Sequence, residues 1–251
     1  MKDLDTYLDL CTQVYELSKP KAPEEAYTFY KSYLQSMKAN ALEPMCGTGR
    51  FLLPLLQDGF EVQGFDASQN MLNALHKKAK AKKLSPNVWH GYVEDINLDD
   101  TYNLIFIPSG SFGLLIDEIV SECALKNFHT ILEDDGVFVF ESETLKAVPN
   151  EFGISRSSAY KRQDGDIIVA TFFDLPPENN VRTSICRYEL VQNNQVTKTE
   201  IEEFKVRIYD PAQLTLKLKG AGFSNVKLCK AFDRDSGPDN NDKSIVYECR
   251  K

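Results

Sequence analysis

Two glycines flanking a single residue, Gly47 and Gly49, follow closely on an acid, Glu43, and precede a second acid, Asp66. Glycine lets a backbone approach a ligand without a Cβ clash. A helix beginning near Arg50 aims its first N–H groups at the same point. Asp66 closes the apolar run Phe60 to Phe65 seventeen residues after Gly49, the distance at which a βαβ unit returns a strand beside the first. A carboxylate there takes the two hydroxyls of a ribose. These residues suit the holding of an adenosine-type cofactor at the edge of a parallel sheet. As plain structure, Glu43 is a strand-end acid, the glycines a turn, and Asp66 a cap for the following helix, a role it can combine with the first.

A nicotinamide dinucleotide fingerprint needs G-x-G-x-x-G/A, and the third position here is Leu52. Glu43, four residues before Gly47, would repel a pyrophosphate and suits a ligand with an ammonium group. Glu43, Gly47, Gly49 and Asp66 in this order, around the string Cys46-Gly47-Thr48-Gly49-Arg50-Phe51, resemble motifs I and II of the class I S-adenosylmethionine (SAM) methyltransferases. Their first motif often has glycine where this chain has Met45. The resemblance implies SAM as cofactor. It places Glu43 on the ammonium group, directly or through water, and Asp66 on both ribose hydroxyls. Met45, Cys46, Gly47 and Gly49 then form the turn that admits the methionine portion, and Ala67 lies beneath the ribose or adenine. After the third strand many relatives carry an acid for the adenine amino group. Tyr92 aligns there, with Glu94 or Asp95 if the register slips, and Val93 offers its backbone N–H. Pro108 is assigned to the cofactor as well. Methyltransferases of this type often close the pocket with N-terminal aromatics, which singles out Tyr15 as a lid.

The segment Ile107-Pro108-Ser109-Gly110-Ser111-Phe112-Gly113 falls at the carboxyl end of the fourth strand, where open α/β folds bind ligands. Ser109, Ser111 and Phe112 are candidate floor residues between cofactor and acceptor, or else a helix cap and a packing aromatic. No Asn- or Asp-Pro-Pro-aromatic motif stands here, which speaks against base methylation, and no Pro-Cys nucleophile serves C5 chemistry. Glu141 and Glu143 end the fifth strand near this point and can take a proton from an amine acceptor, or be solvated strand-end acids. His76, His90 and His129 have no visible partner and read as structural or solvated. No metal is required for transfer from a sulfonium.

The chain that must position these residues has 251 residues, 42% of them apolar, enough for one α/β domain with an elaboration. A net charge of −8 without a basic block argues against nucleic acid. Six scattered cysteines with no CxxC argue against zinc and a disulfide scaffold. No apolar run reaches membrane length and the first residues do not read as a signal peptide, so a cytoplasmic location and no membrane partner are expected.

Helices are expected over 3–17 and 24–37, the second covering the sheet edge. Strands at 40–45, 60–65, 87–92, 102–107 and 137–141 alternate with helices at 50–57, 69–83 and 114–132, and Asp134-Asp135-Gly136 turns into the fifth strand. Four β-rich segments fill 154–209, with hairpin turns at 163–166 and 192–195. Asp210-Pro211 starts a last helix, followed by strands 225–232 and 244–250. The expected fold is α/β, a Rossmann-like, doubly wound, mostly parallel sheet with an inserted antiparallel cap. Residues 1–149 and 210–251 form the SAM-binding core with N-terminal lid helices, and 150–209 the cap. The cap resembles that of small-molecule N-methyltransferases. Its Arg182, Arg187 and Arg207 serve an anionic acceptor or are sheet-surface charge. The cap is expected to roof the acceptor pocket and to add little to cofactor affinity; its exposed edge offers a route to a homodimer. The expected activity is methyl transfer from SAM to N or O of a small molecule by in-line displacement. A non-catalytic SAM sensor and a nicotinamide-linked oxidoreductase are the alternatives.

Overall fold

A computed structural model describes residues 4–37, 40–96 and 99–251. Strands β1 (Asn40–Pro44), β2 (Glu61–Asp66), β3 (Asn87–His90), β4 (Tyr102–Ile107) and β5 (Leu132–Glu143) pair in parallel. With β10 (Asn225–Lys230) and β11 (Ser244–Arg250) they form a seven-stranded sheet of order β10-β11-β5-β4-β1-β2-β3, in which β11 runs antiparallel to β5. The order reverses between β1 and β4, so the carboxyl ends of those strands open onto a crevice.

Strict alternation divides the core. Ala41, Leu104, Phe106, Val137 and Val139 face one side, packed by α2 (Glu24–Met37), α3 (Leu52–Gln57) and α4 (Gln69–Ala81). Leu42, Ile105, Ile107, Phe138 and Phe140 face the other, packed by α5 (Glu118–Ile131) and α6 (Pro211–Gly220). Helix α2 thus covers a face of the sheet rather than its edge, because Phe29, Tyr30, Tyr33 and Leu34 are all buried. Ser68 caps α4 by accepting from the Met71 N–H, and Asp210 caps α6 with Pro211 in the first turn.

Several boundaries differ from the sequence expectation. The first helix, α1, runs only over Asp9–Ser18. Tyr7 is left-handed, with φ 54°, so no helix passes through it. Helix α5 starts at Asp117, whose carboxylate accepts from Ile119 and Val120 N–H; the preceding Ser111–Leu114 is a separate 3-10 turn. Asp134-Asp135-Gly136 lies within β5: Tyr102 pairs with Leu132 and Leu104 with Val137, so four residues bulge out opposite Asn103.

The remaining strands, β6 (Ser155–Lys161), β7 (Ile167–Asp174), β8 (Val181–Gln192) and β9 (Gln195–Arg207), make a separate antiparallel sheet of order β6-β7-β8-β9. Asn193 and Asn194, both left-handed, form the two-residue turn of the β8–β9 hairpin. The inner face of this sheet has its own small core, in which Leu10, Cys11 and Val14 of α1 pack on Ile168, Ala170, Cys186 and Tyr188. Helix α1 therefore belongs to the cap as much as to the parallel core. Among the described residues no helix is long and apolar enough to cross a membrane.

Candidate active site

The turn after β1 is built from left-handed residues: Met45 (φ 58°), Gly47 (φ 55°) and Gly49 (φ 73°). Met45 takes the conformation that glycine would adopt freely, at a cost of about 1–2 kcal/mol, so the turn is imposed on it by the surroundings. The Cys46 N–H donates to Phe65 O, and the Gly49 N–H to Cys46 O. The two glycines do different work. A Cβ on Gly49 would lie 2.9 Å from Leu75 Cγ and 3.0 Å from Leu53 Cγ, so this position is reserved for packing of α3 and α4. A Cβ on Gly47 meets nothing within 4 Å, so this position borders open space.

Asp66 holds the turn from the neighbouring strand. Its Oδ2 accepts the Gly47 N–H at 2.7 Å and its Oδ1 the Ser68 N–H at 2.8 Å. The carboxylate is enclosed by protein except towards the cavity. Burial lifts its pKa to about 6, against the pull of the Ser68 and Gly47 N–H groups and of His90. Glu43 is 2% exposed, and its Oε2 has no hydrogen-bond partner. Burial raises its pKa well above the usual carboxylate range, Arg50 opposes this, Asp66 adds to it, and the Leu52 N–H opposes it.

A cavity of about 380 Å³ opens over these groups. Met45, Gly47, Asp66 and Ala67 form its inner wall, Tyr92, Val93 and Glu94 one side, Ser111 and Leu114 to Asp117 the other. Tyr15 and residues Leu4 to Tyr7 close it, and Glu203, Phe204 and Lys205 of β9 complete the wall. The cap sheet thus sits at the edge that carries Gly47 and Asp66. Its β9 residues thus share a cavity with Asp66 and Ala67, a contact that the sequence expectation omitted.

Of the residues singled out from sequence, Tyr15, Met45, Gly47, Asp66, Ala67, Tyr92, Val93 and Ser111 line this cavity. Glu43, Cys46, Gly49 and Pro108 lie behind its wall, all buried. Phe112 is a core residue, wholly buried with its ring 4.9 Å from Phe140 and 5.6 Å from Tyr209; it is not a floor residue. Ser109 is exposed and left-handed (φ 63°), followed by Gly110 (φ 68°). Its N–H donates to Glu141, and its hydroxyl accepts from Arg50. The three cap arginines part company. Arg187 pairs with Glu189 on the outer face, Arg207 donates to Ile116 O, and only Arg182 turns inward, towards Glu143.

Sequence reasoning missed Arg50, Tyr7 and Phe204. Arg50 stood in the motif itself, and its guanidinium lies 5.5 Å from the Tyr15 ring centre. Phe204 carried only the alternation of β9 as a signal. Tyr7 carried none, since its role depends on a carboxylate 195 residues away, Glu202, that accepts its N–H.

The fold and cavity are those of a class I SAM-dependent methyltransferase. Residues 41–136 match the family model described as Methyltransferase domain. A Geobacillus sp. (strain WCH70) protein named as a methyltransferase is 20% identical over 243 residues, covering 94% of this chain and 96% of the relative. A solved SAM-dependent methyltransferase from Clostridium acetobutylicum ATCC 824 superposes with a TM-score of 0.77 at 18% identity, covering 95% and 96% of the two chains. The sugar N-methyltransferase KedS8 from Streptoalloteichus sp ATCC 53650 gives 0.76 at 16%, covering 100% and 97%. Residues 41–136 form a methyltransferase domain, and the comparisons support a class I SAM-dependent methyltransferase. The nicotinamide alternative falls with this assignment. The site suits the cofactor of the class: a Cβ on Gly47 would meet nothing within 4 Å, Glu43 Oε2 has no hydrogen-bond partner among the described residues, and Asp66 lines the cavity.

Proposed function

We propose that this enzyme methylates a nitrogen of a small molecule, using residues 150–209 as the cap over the acceptor. The observation that carries this reading is the pair of carboxylates at the end of β5. Glu141 and Glu143 both flank the Ser109–Gly110 turn: Glu141 accepts the Ser109 N–H at 3.1 Å, and a Cβ on Gly110 would stand 3.5 Å from Glu143 Cγ. Through Ser109 this turn connects to Arg50, which stands between the Glu43 cradle and the Tyr15 lid. A protonated amine must shed a proton before its lone pair can react, and a carboxylate beside it can receive that proton. The naming of KedS8 as a sugar N-methyltransferase supports the same reading.

When bound, SAM supplies a methyl group whose bond to sulfur breaks with both electrons left on sulfur as an acceptor lone pair forms the new bond to carbon. The protein's part is to place and to dry. Asp66 would accept the ribose hydroxyls while fixed by two backbone N–H groups, so little is spent on orienting it. Glu43 would hold the ammonium group, and Tyr92 and Val93 would flank the base. Tyr15, Tyr7 and Phe204 exclude water, which strengthens each of these contacts and keeps the acceptor aligned.

The test is calorimetry with SAM and its demethylated product SAH, followed by transfer of a labelled methyl group to matched amine and hydroxyl compounds. Binding with label on nitrogen is expected. No heat from folded protein would sink the cofactor assignment, and label confined to oxygen would sink the choice of nitrogen.

A further inference from the structure

Two side chains outside the cavity lining hold two of its walls from behind. One wall is residues 91–94, which run into the 3-10 turn Val93–Asp95; the other is residues 114–117. Both are irregular backbone, whose carbonyls need donors from elsewhere. Asn127 Nδ2 donates to Val93 O at 3.1 Å and to Glu94 O at 3.2 Å. A trans peptide carries its N–H opposite its C=O, so fixing Val93 O also fixes the Glu94 N–H. Asn127 stands two turns along α5 from Val120, on the same face, so one helix lines the cavity and also grips its 91–94 wall. Arg207 donates to Ile116 O twice, from Nε at 3.1 Å and from Nη2 at 2.7 Å. It ends β9, whose Phe204 and Lys205 line the same cavity. A Cβ on Gly113 would lie 2.9 Å from Val206 Cγ1 and 3.0 Å from Arg207 O, so the cap sheet and the turn leading into the 114–117 wall are in close contact.

We propose that Asn127 and Arg207 are positioning residues that set the slot for the purine ring of SAM, and with it the preference for a 6-amino over a 6-oxo purine. The proposal rests on the reading in which Tyr92 and Val93 flank the base. The slot has apolar side chains on both walls, Val93 on one and Leu114 and Ile116 on the other, with Val120 beside them. Apolar contact is non-directional and holds any purine. The two purines differ at one edge: adenine offers a donor at N6 and an acceptor at N1, and hypoxanthine offers the reverse. Hydrogen bonds at that edge weaken steeply with distance and angle. Their partners belong to the 91–94 wall, whose peptide planes Asn127 fixes. The 114–117 wall, fixed by Arg207, sets how far the ring can slide from them. Releasing either carbonyl lets a wall relax, which blurs the reading of the edge and leaves the apolar contact in place. Both residues stand on regular elements, α5 and β9, so each ties an irregular wall to a rigid support.

The experiment is calorimetry on the full chain with two ligands, SAH and S-inosylhomocysteine, which carries an oxygen in place of the adenine amino group. Wild type should bind SAH more tightly by about tenfold or more, the scale of one mismatched hydrogen bond. Asn127→Leu and Arg207→Met should narrow that preference to about twofold, by weakening SAH and sparing S-inosylhomocysteine. A variant that is merely less stable binds both ligands in the wild-type ratio, so the ratio separates positioning from stability. Thermal melts report that each variant has folded. Lys126→Gln, exposed beside Asn127, should match wild type. Where Asn127→Leu or Arg207→Met does not fold, Asn127→Ser and Arg207→Lys, which keep a donor of shorter reach, carry the same test. A wild-type ratio in either folded variant overturns the proposal, as does equal binding of the two ligands by wild type; in both cases the cofactor assignment stands. If wild type binds neither ligand, the cofactor assignment falls and the proposal with it.

Discussion

Replacing Glu43 by glutamine tests the cradle at its most exposed assumption, that a buried acid with one idle oxygen is there for a ligand. Glutamine keeps the shape and keeps an oxygen for the Leu52 N–H, so the fold should survive with little change in Tm. What it removes is the charge facing the ammonium group. A hydrogen bond to a charged group contributes about 1.5–3 kcal/mol, which converts to roughly a 10- to 150-fold loss of affinity at 1.4 kcal/mol per decade. The assay is calorimetric titration of wild type and Glu43→Gln with two ligands, SAH and 5′-methylthioadenosine, which keeps the nucleoside and lacks the amino-acid tail. The loss should appear with SAH and vanish with methylthioadenosine, giving a coupling energy of about 1.5–3 kcal/mol between Glu43 and the tail. Since burial pushes the apo carboxyl up, an ammonium ligand should pull it back down, so SAH affinity should rise with pH across the carboxyl's titration and Glu43→Gln should lose that dependence. Equal losses with both ligands, or none with either, would refute the reasoning and leave Glu43 a core acid.

At Asp66 the folded pKa of about 6 lies above the ordinary 3.8, so the folded state holds the proton more tightly and this group's destabilisation grows as pH rises from about 4 to 6, reaching about 3 kcal/mol; chemical denaturation across that range should show the slope in wild type and lose it in Asp66→Asn. Gly49→Ala should cost about 2–4 kcal/mol, from a left-handed alanine plus collision with Leu53 and Leu75, whereas Gly47→Ala should cost about 1 kcal/mol in stability and fall mainly on SAH affinity; thermal melts and calorimetry on the two variants separate these outcomes. Glu202→Gln removes the charge that accepts the Tyr7 and Leu8 N–H groups, so hydrogen exchange at those amides should speed up about tenfold and SAH affinity should fall several-fold.

The parallel core was legible because its signals are local. The unbroken apolar runs at Leu104 to Ile107 and 137–140, the Asp210-Pro211 helix start, and the glycine turn each depend on residues a few positions apart. The closeness of Glu43, Gly47 and Asp66, the residues proposed to hold the cofactor, was legible for the same reason, since one βαβ unit joins them. Three kinds of feature escaped. A residue given a site role by its motif position could equally be core, as Phe112 is, because an aromatic beside a pocket and one inside a cluster read alike. The start of α1 escaped because its cap comes from Glu202 and Glu200 on β9, not from its own flanking residue Leu8. The bulge in β5 escaped because Asp134-Asp135-Gly136 carries the composition of a turn, and only pairing with β4 on both sides of it keeps the strand continuous.

The long-range features share a logic that bears on how the enzyme works. The Tyr7 N–H is held by Glu202 of the cap, and its carbonyl accepts from Ser68, the residue that caps α4 and directly follows Ala67 in the cofactor wall. The segment closing the cavity is therefore tied on one side to the cofactor's supports and on the other to the sheet that carries Arg182. Neither tie is strong alone; a single hydrogen bond contributes about 1 kcal/mol net. Opening the lid breaks both sets at once, and any ligand that orders one side lowers the cost of ordering the other. The proposed cofactor and acceptor sites, on separate sheets, would in this way be joined through a few residues ahead of α1. The cap sheet, far from a detachable roof, is part of what closes the cavity over Gly47 and Asp66.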